Sequence, residues 1–496
     1  MPGYWFDSAL CLIEETGRFH AEQRSIEIDD ALIAAMHPAG SRPSQDREFV
    51  DARDLIAVPG LVNCHSHSPD NLVRSTTGDL PLELWSLTSS AGREKRSLRE
   101  IYISTMLGAI EMMRTGTTTV LDHVRISPDI DGEALDAVAS AWRDSGMRAV
   151  IAPVVSDRSV VETMPFEEDD FAGLDLSAYG TRTPLPARKQ MAIAEAFFHR
   201  WHDAAHGRIR VAIGPSGPQR CSDDLLTAAA DFSRRHDTLL HTHVLETRLQ
   251  REIGLKLYGG GMIAHLDDLS LLTPRTNLVH SIWLEPDDAD RIAAADATVI
   301  HNPVSNARLG SGYCSLPDLI GKGIRIGLGT DSACCNDSAN LLETMKWAAL
   351  VHRLRLDDET AWLGPESALR LGTSGGANVL GLKTTGRLEA GCAADITFFK
   401  RKAPAFSPLH DPVRQLVLSE SGAAIDRVMI AGRVVVSNGR STEIDETAIW
   451  DEAQAIADRR HIDGKAAQAA THALEGPIRK MRSRFNTGWA GGCSCH

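Results

Sequence analysis

His65 and His67 stand one residue apart at the end of an apolar run, Leu61-Val62-Asn63-Cys64. In a strand, side chains at i and i+2 point to the same side, so this spacing aims two imidazoles at one point. Two converging imidazoles are half of a divalent-metal site. Similar residue types recur at the ends of later apolar runs. His241-Thr242-His243 is followed by Glu246; then come His280, His301-Asn302, and Asp331 within Gly327-Leu-Gly-Thr-Asp-Ser332. Imidazoles from His65, His67 and His243, with the Asp331 carboxylate, supply donors for one divalent ion and leave a position for water. Such an ion lowers the pKa of its water from ~16 to roughly 7. Asp331 can then take the water proton. His280 can orient the hydroxide and polarise the attacked group. Glu246 can carry a proton to a ring nitrogen and on to a leaving group.

These residues need a scaffold that gathers strand ends. Eight short apolar or β-branched runs fall at residues 60–64, 117–121, 147–155, 209–213, 239–242, 278–280, 298–300 and 324–328. Helical patterns at 98–114, 133–144, 191–205, 223–235 and 285–295 separate most of them. The alternation predicts a (β/α)8 TIM-type barrel, whose active site lies at the C-terminal ends of its strands. An open doubly wound sheet would more often carry a Gly-rich phosphate turn after its first strand, and the turn here is Pro59-Gly60, before it.

The flanks read differently. Residues 1–57 are polar with short apolar runs and predict small β-structure. Residues 386–399 predict a hairpin-like pair of strands, and 428–436 a second pair turning at Ala431-Gly432. Together, 1–57 and 385–445 are expected to form one composite β-sandwich domain beside a distorted catalytic barrel at 58–384. Residues 446–496 read as a helical extension ending in a Gly-rich tail. The Cys493, Cys495 and His496 side chains there could bind metal, but a mobile tail is the preferred reading.

Composition narrows the function classes. Of 496 residues, 66 are Asp or Glu and 52 are Lys or Arg, a formal charge of −14. That balance argues against nucleic acid and anionic membranes as partners. No apolar run reaches the length of a membrane span, and the N-terminus lacks a basic, then apolar, secretory pattern. Nine scattered cysteines without framework spacing suit a reducing cytoplasm.

Five segments then acquire a common meaning. They are Pro59-Gly-Leu-Val-Asn-Cys-His-Ser-His67, His241-Thr-His-Val-Leu-Glu-Thr247, Leu278-Val-His-Ser-Ile-Trp283, His301-Asn-Pro-Val-Ser-Asn306 and Gly329-Thr-Asp331. In this order they resemble the amidohydrolase superfamily, and within it the mononuclear aminohydrolases. That branch includes methylthioadenosine/S-adenosylhomocysteine deaminases, guanine and pterin deaminases, and s-triazine hydrolases. The resemblance implies a zinc ion, or sometimes ferrous iron, on His65, His67, His243 and Asp331, with acid/base roles for Glu246 and His280. It makes His243 the ligand and leaves His241 structural. Binuclear members bridge two metals with a modified lysine on strand four, and residues 208–214 contain no lysine, so one metal per subunit is expected. A homodimer or higher homo-oligomer is expected on the same ground.

The chain departs from the family at one loop. Nucleoside deaminases carry Gly-Pro-His-x-Pro-Tyr after strand four, where this chain reads Gly214-Pro-Ser-Gly-Pro-Gln219. Ser216 and Gln219 thus stand where a substrate-contacting His and Tyr are expected, which argues against an adenosine-type substrate. Trp85, in a segment resembling the family's substrate-covering loop, could stack on a planar ring or merely pack. His301 and Asn302 are further candidate substrate contacts. Asp122-His123 could line the pocket or simply end strand two. The expected activity is hydrolytic deamination of an amino-substituted purine, pterin, pyrimidine or triazine-like ring, with a small heterocycle and water as reactants. The alternatives are attack on another bond in the same site, such as triazine dechlorination or cyclic-amide cleavage, and an inactive barrel retained for assembly.

Overall fold

The computed structural model describes residues 3–43, 46–91, 95–171, 184–463 and 465–486. Cys493, Cys495 and His496 lie outside the described residues. The chain begins with strands β1 (Tyr4–Glu15), β2 (Arg18–Asp29), β3 (Leu32–Pro38), β4 (Glu48–Asp51) and β5 (Leu55–Pro59). Next come β6 (Leu61–Ser66), β7 (Thr117–Val124), β8 (Arg148–Val155), β9 (Ile209–Val211) and β10 (Gly214–Pro215). They are followed by β11 (Leu240–Val244), β12 (Thr276–His280), β13 (Thr298–His301) and β14 (Arg325–Leu328). The last strands are β15 (Ile396–Lys400), β16 (Ile425–Ile430), β17 (Arg433–Ser437) and β18 (Arg440–Ser441).

Strands β6 to β14 are parallel and form two arcs, β10-β8-β7-β6 with β9 on β8, and β11-β12-β13-β14. Parallel bridges join the arcs at Ile213↔Leu240 and at Ser66↔Asp331, which closes the ring as a (β/α)8 barrel. Each strand falls within a few residues of its expected run. β6 and β7 are buried along their whole length, as barrel strands covered by helices must be. Gly60 is required where the chain enters β6, because a Cβ there would stand 2.2 Å from Thr118 Oγ1.

The intervening helices start where the sequence supplies caps. Ser97 and Glu100 form a reciprocal capping box on helix Leu98–Arg114. Asp131 caps Gly132–Ser145, and Ser222 caps Asp223–Arg235. The helix expected at 191–205 instead spans Ala187–Trp201, and the extended backbone of His202 (φ −63°, ψ +132°) ends it there. The helix expected at 285–295 is shorter, Asp288–Ala294.

Both chain ends meet in one nine-stranded sheet, ordered β18-β17-β16-β15-β5-β1-β2-β3, with β4 on β1. The crossing is β5 against β15, antiparallel from Ile396↔Pro59 to Lys400↔Leu55. This sheet buries a core of its own, including Phe6, Ile26, Ile28, Ile33, Phe398 and Met429. The turn at Ala431-Gly432 has both residues left-handed (φ +48° and +74°), the geometry of a tight hairpin. The hairpin-like pair expected at 386–399 is corrected: only Ile396–Lys400 is a strand. The preceding residues dock on the start of β3 instead, through Ile33 N to Cys392 O and Gly391 N to Ile33 O.

Helices Glu446–Asp463 and Lys465–Asn486 complete the described chain. The second packs Leu474, Ile478 and Met481 into the main core. No helix among the described residues is long and apolar enough to cross a membrane.

Candidate functional site

His65 on β6 and His67 just past its end are brought against the ends of β11, β12 and β14. His65 and His67 place their ring centroids 4.7 Å apart, edge to face, and His243 lies 5.3 Å from His67. Each ring has its Nδ1 engaged. His67 Nδ1 donates to His123 O (2.6 Å), His243 Nδ1 donates to Ser216 O (2.9 Å), and His65 Nδ1 is hydrogen-bonded to His241 Nε2 (2.8 Å). Tying Nδ1 fixes the ring and turns Nε2 toward a common centre, the arrangement of metal-binding imidazoles.

The centre is closely spaced. His243 Nε2 lies 3.3 Å from His67 Nε2, and Asp331 Oδ1 lies 3.5 Å from both His65 Nε2 and His67 Nε2. Four ligands at ~2.1 Å around a tetrahedral ion stand ~3.4 Å from one another, so the donor set fits a single such ion. His65 Nε2 is buried and makes no hydrogen bond with the described residues, a state that a bound cation would relieve. Two overlapping groups have the spacing of a metal site: His65, His67, His123 and His243, and His65, His280 and Asp331. His123 Nε2 is 3.3 Å from the carbonyl of Gly214, a contact that engages that nitrogen.

Charge in the cluster follows from burial. Desolvation pulls His67 down to about 4 and holds His65 and His243 below the ordinary imidazole range, so these rings are neutral donors at pH 7. Burial opposes ionisation of Asp331, but the adjacent rings of His65, His280 and His67 outweigh it and hold the carboxyl well below the usual carboxylate range. Ser332 N (2.7 Å) and Ser305 Oγ (2.8 Å) donate to its two oxygens.

Glu246 sits across the site, with Oε2 3.7 Å from His280 Nε2. Burial pushes its carboxyl up to about 7; His280 works against this, and Asp331 and Glu83 add to it. A carboxyl poised there can hold or release a proton at neutral pH. His280 is oriented by Nδ1 donating to Asn306 Oδ1 (2.9 Å), and its Nε2 lies 3.8 Å from Asp331 Oδ2. Three of these strand ends carry left-handed backbone at non-glycine residues: Leu245 (φ +51°), His280 (+74°) with Ser281 (+48°), and Asp331 (+62°). Such strain persists where surrounding structure dictates it, typically at functional sites.

A cavity opens over this floor, and Trp85, Ser216 and Gln219 are in its wall. Trp85 also packs, its Nε1 donating to Cys334 O (2.9 Å). His301 and Asn302 are corrected. Both are buried and neither lines the cavity. β13 turns into helix Pro303–Arg308 immediately after them, so that helix serves the site through Ser305 and Asn306 instead.

Sequence reasoning missed the supporting roles of several residues, including that of Asp122, which it read as lining the pocket or simply ending strand two. Asp122 accepts from Ser68 N (2.9 Å) and Trp142 Nε1 (2.8 Å), pinning the turn after His67. Asp70 accepts from Ser332 Oγ (2.9 Å). Glu83 accepts from Thr247 Oγ1 (2.9 Å) and faces Arg482, whose Nε lies 3.0 Å from Oε2 in an ion pair without hydrogen-bond alignment. Only the position of Ser305 and Asn306, one helical turn beyond His301-Asn302, was a usable signal.

Residues 56–435 match the profile of the Amidohydrolase family, and the chain belongs to that family. It is similar to a 5-methylthioadenosine/S-adenosylhomocysteine deaminase of Pelotomaculum thermopropionicum, with 33% identity over 86% of this chain and 92% of the relative. An 8-oxoguanine deaminase of Pseudomonas aeruginosa is 30% identical over 90% of this chain and 97% of that protein. Among solved structures, a mutant atrazine chlorohydrolase of Arthrobacter aurescens TC1, complexed with zinc and atraton, superposes with a TM-score of 0.83. It is 25% identical and covers 92% of this chain and 100% of its own.

Proposed function

We propose that the protein is a metal-dependent hydrolase that removes an amino group, as ammonia, from a planar nitrogen heterocycle. The observation that carries this reading is the pairing of a close imidazole–carboxylate cluster with a proton-holding Glu246 on the opposite side of His280. The relatives' named activities as deaminases support it. His65, His67, His243 and Asp331 are the proposed ligands of one divalent ion per subunit. Zinc is preferred because the superposed chlorohydrolase was crystallised with it, and ferrous iron is the second choice. When bound, the ion supplies the Lewis acidity that makes a water acidic enough to ionise near neutral pH.

The chain's own groups divide the remaining work. Asp331, ionised, accepts the proton of the attacking water. His280, held by Asn306, stabilises charge that develops on the attacked carbon's substituents. Glu246 delivers a proton to the ring nitrogen beside that carbon. The resulting carboxylate then takes the proton of the newly added hydroxyl and passes it to the departing amine, so ammonia leaves and a ring carbonyl remains, and the water proton held on Asp331 returns to Glu246 to restore both groups.

A second reading, displacement of chloride from a triazine ring, is favoured by the similarity to the atrazine chlorohydrolase. Ammonia and chloride release from zinc-loaded enzyme, measured over purines, pterins, pyrimidines and triazines, distinguishes the two. Ammonia without chloride supports deamination; chloride alone overturns it. The proposal extends to the barrel at 58–384 as the catalytic unit, to a homo-oligomer, and to a cytoplasmic location. The seven described cysteines, all free and buried, support the last.

A further inference from the structure

The cavity wall carries both signs of charge. Asp70, Glu83, Glu246 and Asp331 line it, and so do Arg125 and Arg220. The acids have protein partners, including Ser332 for Asp70 and Arg482 for Glu83. Arg125 Nη2 donates to Ser216 Oγ (3.1 Å), at the position where a His was expected.

Arg220 is different. Its backbone is fixed on both sides, with its N–H donating to Gly217 O (2.9 Å) and its carbonyl accepting from Arg158 N (3.1 Å). Its guanidinium has Nη1 fully enclosed without a hydrogen-bond partner among the described residues. Glu162 is the carboxylate whose field acts on it. Burial is the larger effect and pulls the group down to about 10. An enclosed guanidinium with an unsatisfied N–H and no carboxylate in ion-pair contact among the described residues is an expensive feature for a stable fold. Its planar fork matches a carboxylate or phosphate in two-point contact.

We propose that Arg220, flanked by Arg125 and Ser216, forms an anion subsite, so that the substrate is an amino-substituted heterocycle bearing a carboxylate or phosphate substituent. The ring half of this statement rests on the deaminase reading; the subsite rests on Arg220. The acidic groups would face the ring's amino and N–H donors while the anion lies against Arg220.

The test is calorimetric titration of zinc-loaded protein with two matched pairs, pterin against pterin-6-carboxylate and adenosine against adenosine 5′-monophosphate, with ammonia measured in parallel. One anionic member is expected to bind about tenfold or more tightly than its neutral partner, and the pair that shows this separates carboxylate from phosphate. Arg220→Gln should reduce that preference to about threefold or less, and Arg220→Lys, which keeps charge but loses the fork, should retain part of it. Zinc content should be unchanged in both variants. Arg220→Met should melt at a higher temperature than wild type without ligand, because an uncompensated charge is removed. Equal binding within both pairs, a preference that survives Arg220→Gln, or a lower melting temperature for Arg220→Met would overturn the subsite. An Arg220-dependent preference without ammonia release would leave the subsite standing and count against deamination.

Discussion

His65, His67 and His243 each spend one ring nitrogen on a fixed partner, which leaves the other for the centre of the site. Removing one such ring removes both a donor and the geometry it fixes. His243→Ala is expected to lose bound metal, measured by atomic emission, together with turnover. Glu246→Gln is expected to keep the metal and lose about 10²–10⁴-fold in kcat, the usual range for a positioned proton carrier. Full activity in that variant would remove Glu246 from the mechanism. The converging residues were legible because a period of two aims His65 and His67 together, and because barrel chemistry gathers at strand ends. His301 and Asn302 were misread because a strand-end position does not say which way a side chain turns as the strand becomes a helix. The support from Asp122 and Asp70 was illegible, since it depends on turns whose shape the sequence does not display.

Among the elements, the C-terminal helix Lys465–Asn486 has a role out of proportion to its distance in sequence from the site. Arg484 makes a two-point ion pair with Asp170 (2.5 and 2.6 Å), and Arg482 lies against Glu83 in the cavity wall. Arg482→Gln leaves the buried Glu83 without the cation beside it. It should lower stability on the order of 1–3 kcal/mol, between an exposed and a fully buried pair. It should also raise KM more than it lowers kcat, since it disturbs the wall rather than the proton carrier. Denaturant unfolding and steady-state kinetics check the two parts. A variant with wild-type KM and stability would show that the contact is incidental. Helicity here was legible from composition. The contact with Glu83 was not, because nearly 400 residues separate the partners and only the closed barrel brings them together.

Across the whole molecule, buried neutral histidines link stability to acidity. His352 is buried, its Nδ1 bonded to Tyr313 Oη (2.9 Å) and its Nε2 without a partner among the described residues. Burial pulls it down to about 4, whereas an unfolded histidine titrates near ~6.5. Between these values the unfolded chain binds the extra proton, so stability falls as pH falls through that window and is fully restored above it. Comparison of wild type with His352→Gln by urea unfolding should show the wild type losing on the order of 1–2 kcal/mol relative to the variant from about pH 7 to about pH 5. A constant difference would contradict this. The barrel's order of strands and the meeting of both chain ends were legible, since each strand has its own apolar run. The docking of residues 387–394 on β3 was not: Gly391 is left-handed (φ +85°), and the segment finds its hydrogen bonds on a distant edge.

On the function proposed above, one divalent ion held by His65, His67, His243 and Asp331 enables deamination in this barrel. Stripping the protein with a chelator and titrating zinc back, with ammonia release recorded from the best heterocycle of the panel, tests this. Stripped protein should release none, and recovery should be linear and end at one zinc per chain. Full activity without metal, or recovery that continues to two equivalents, would contradict it.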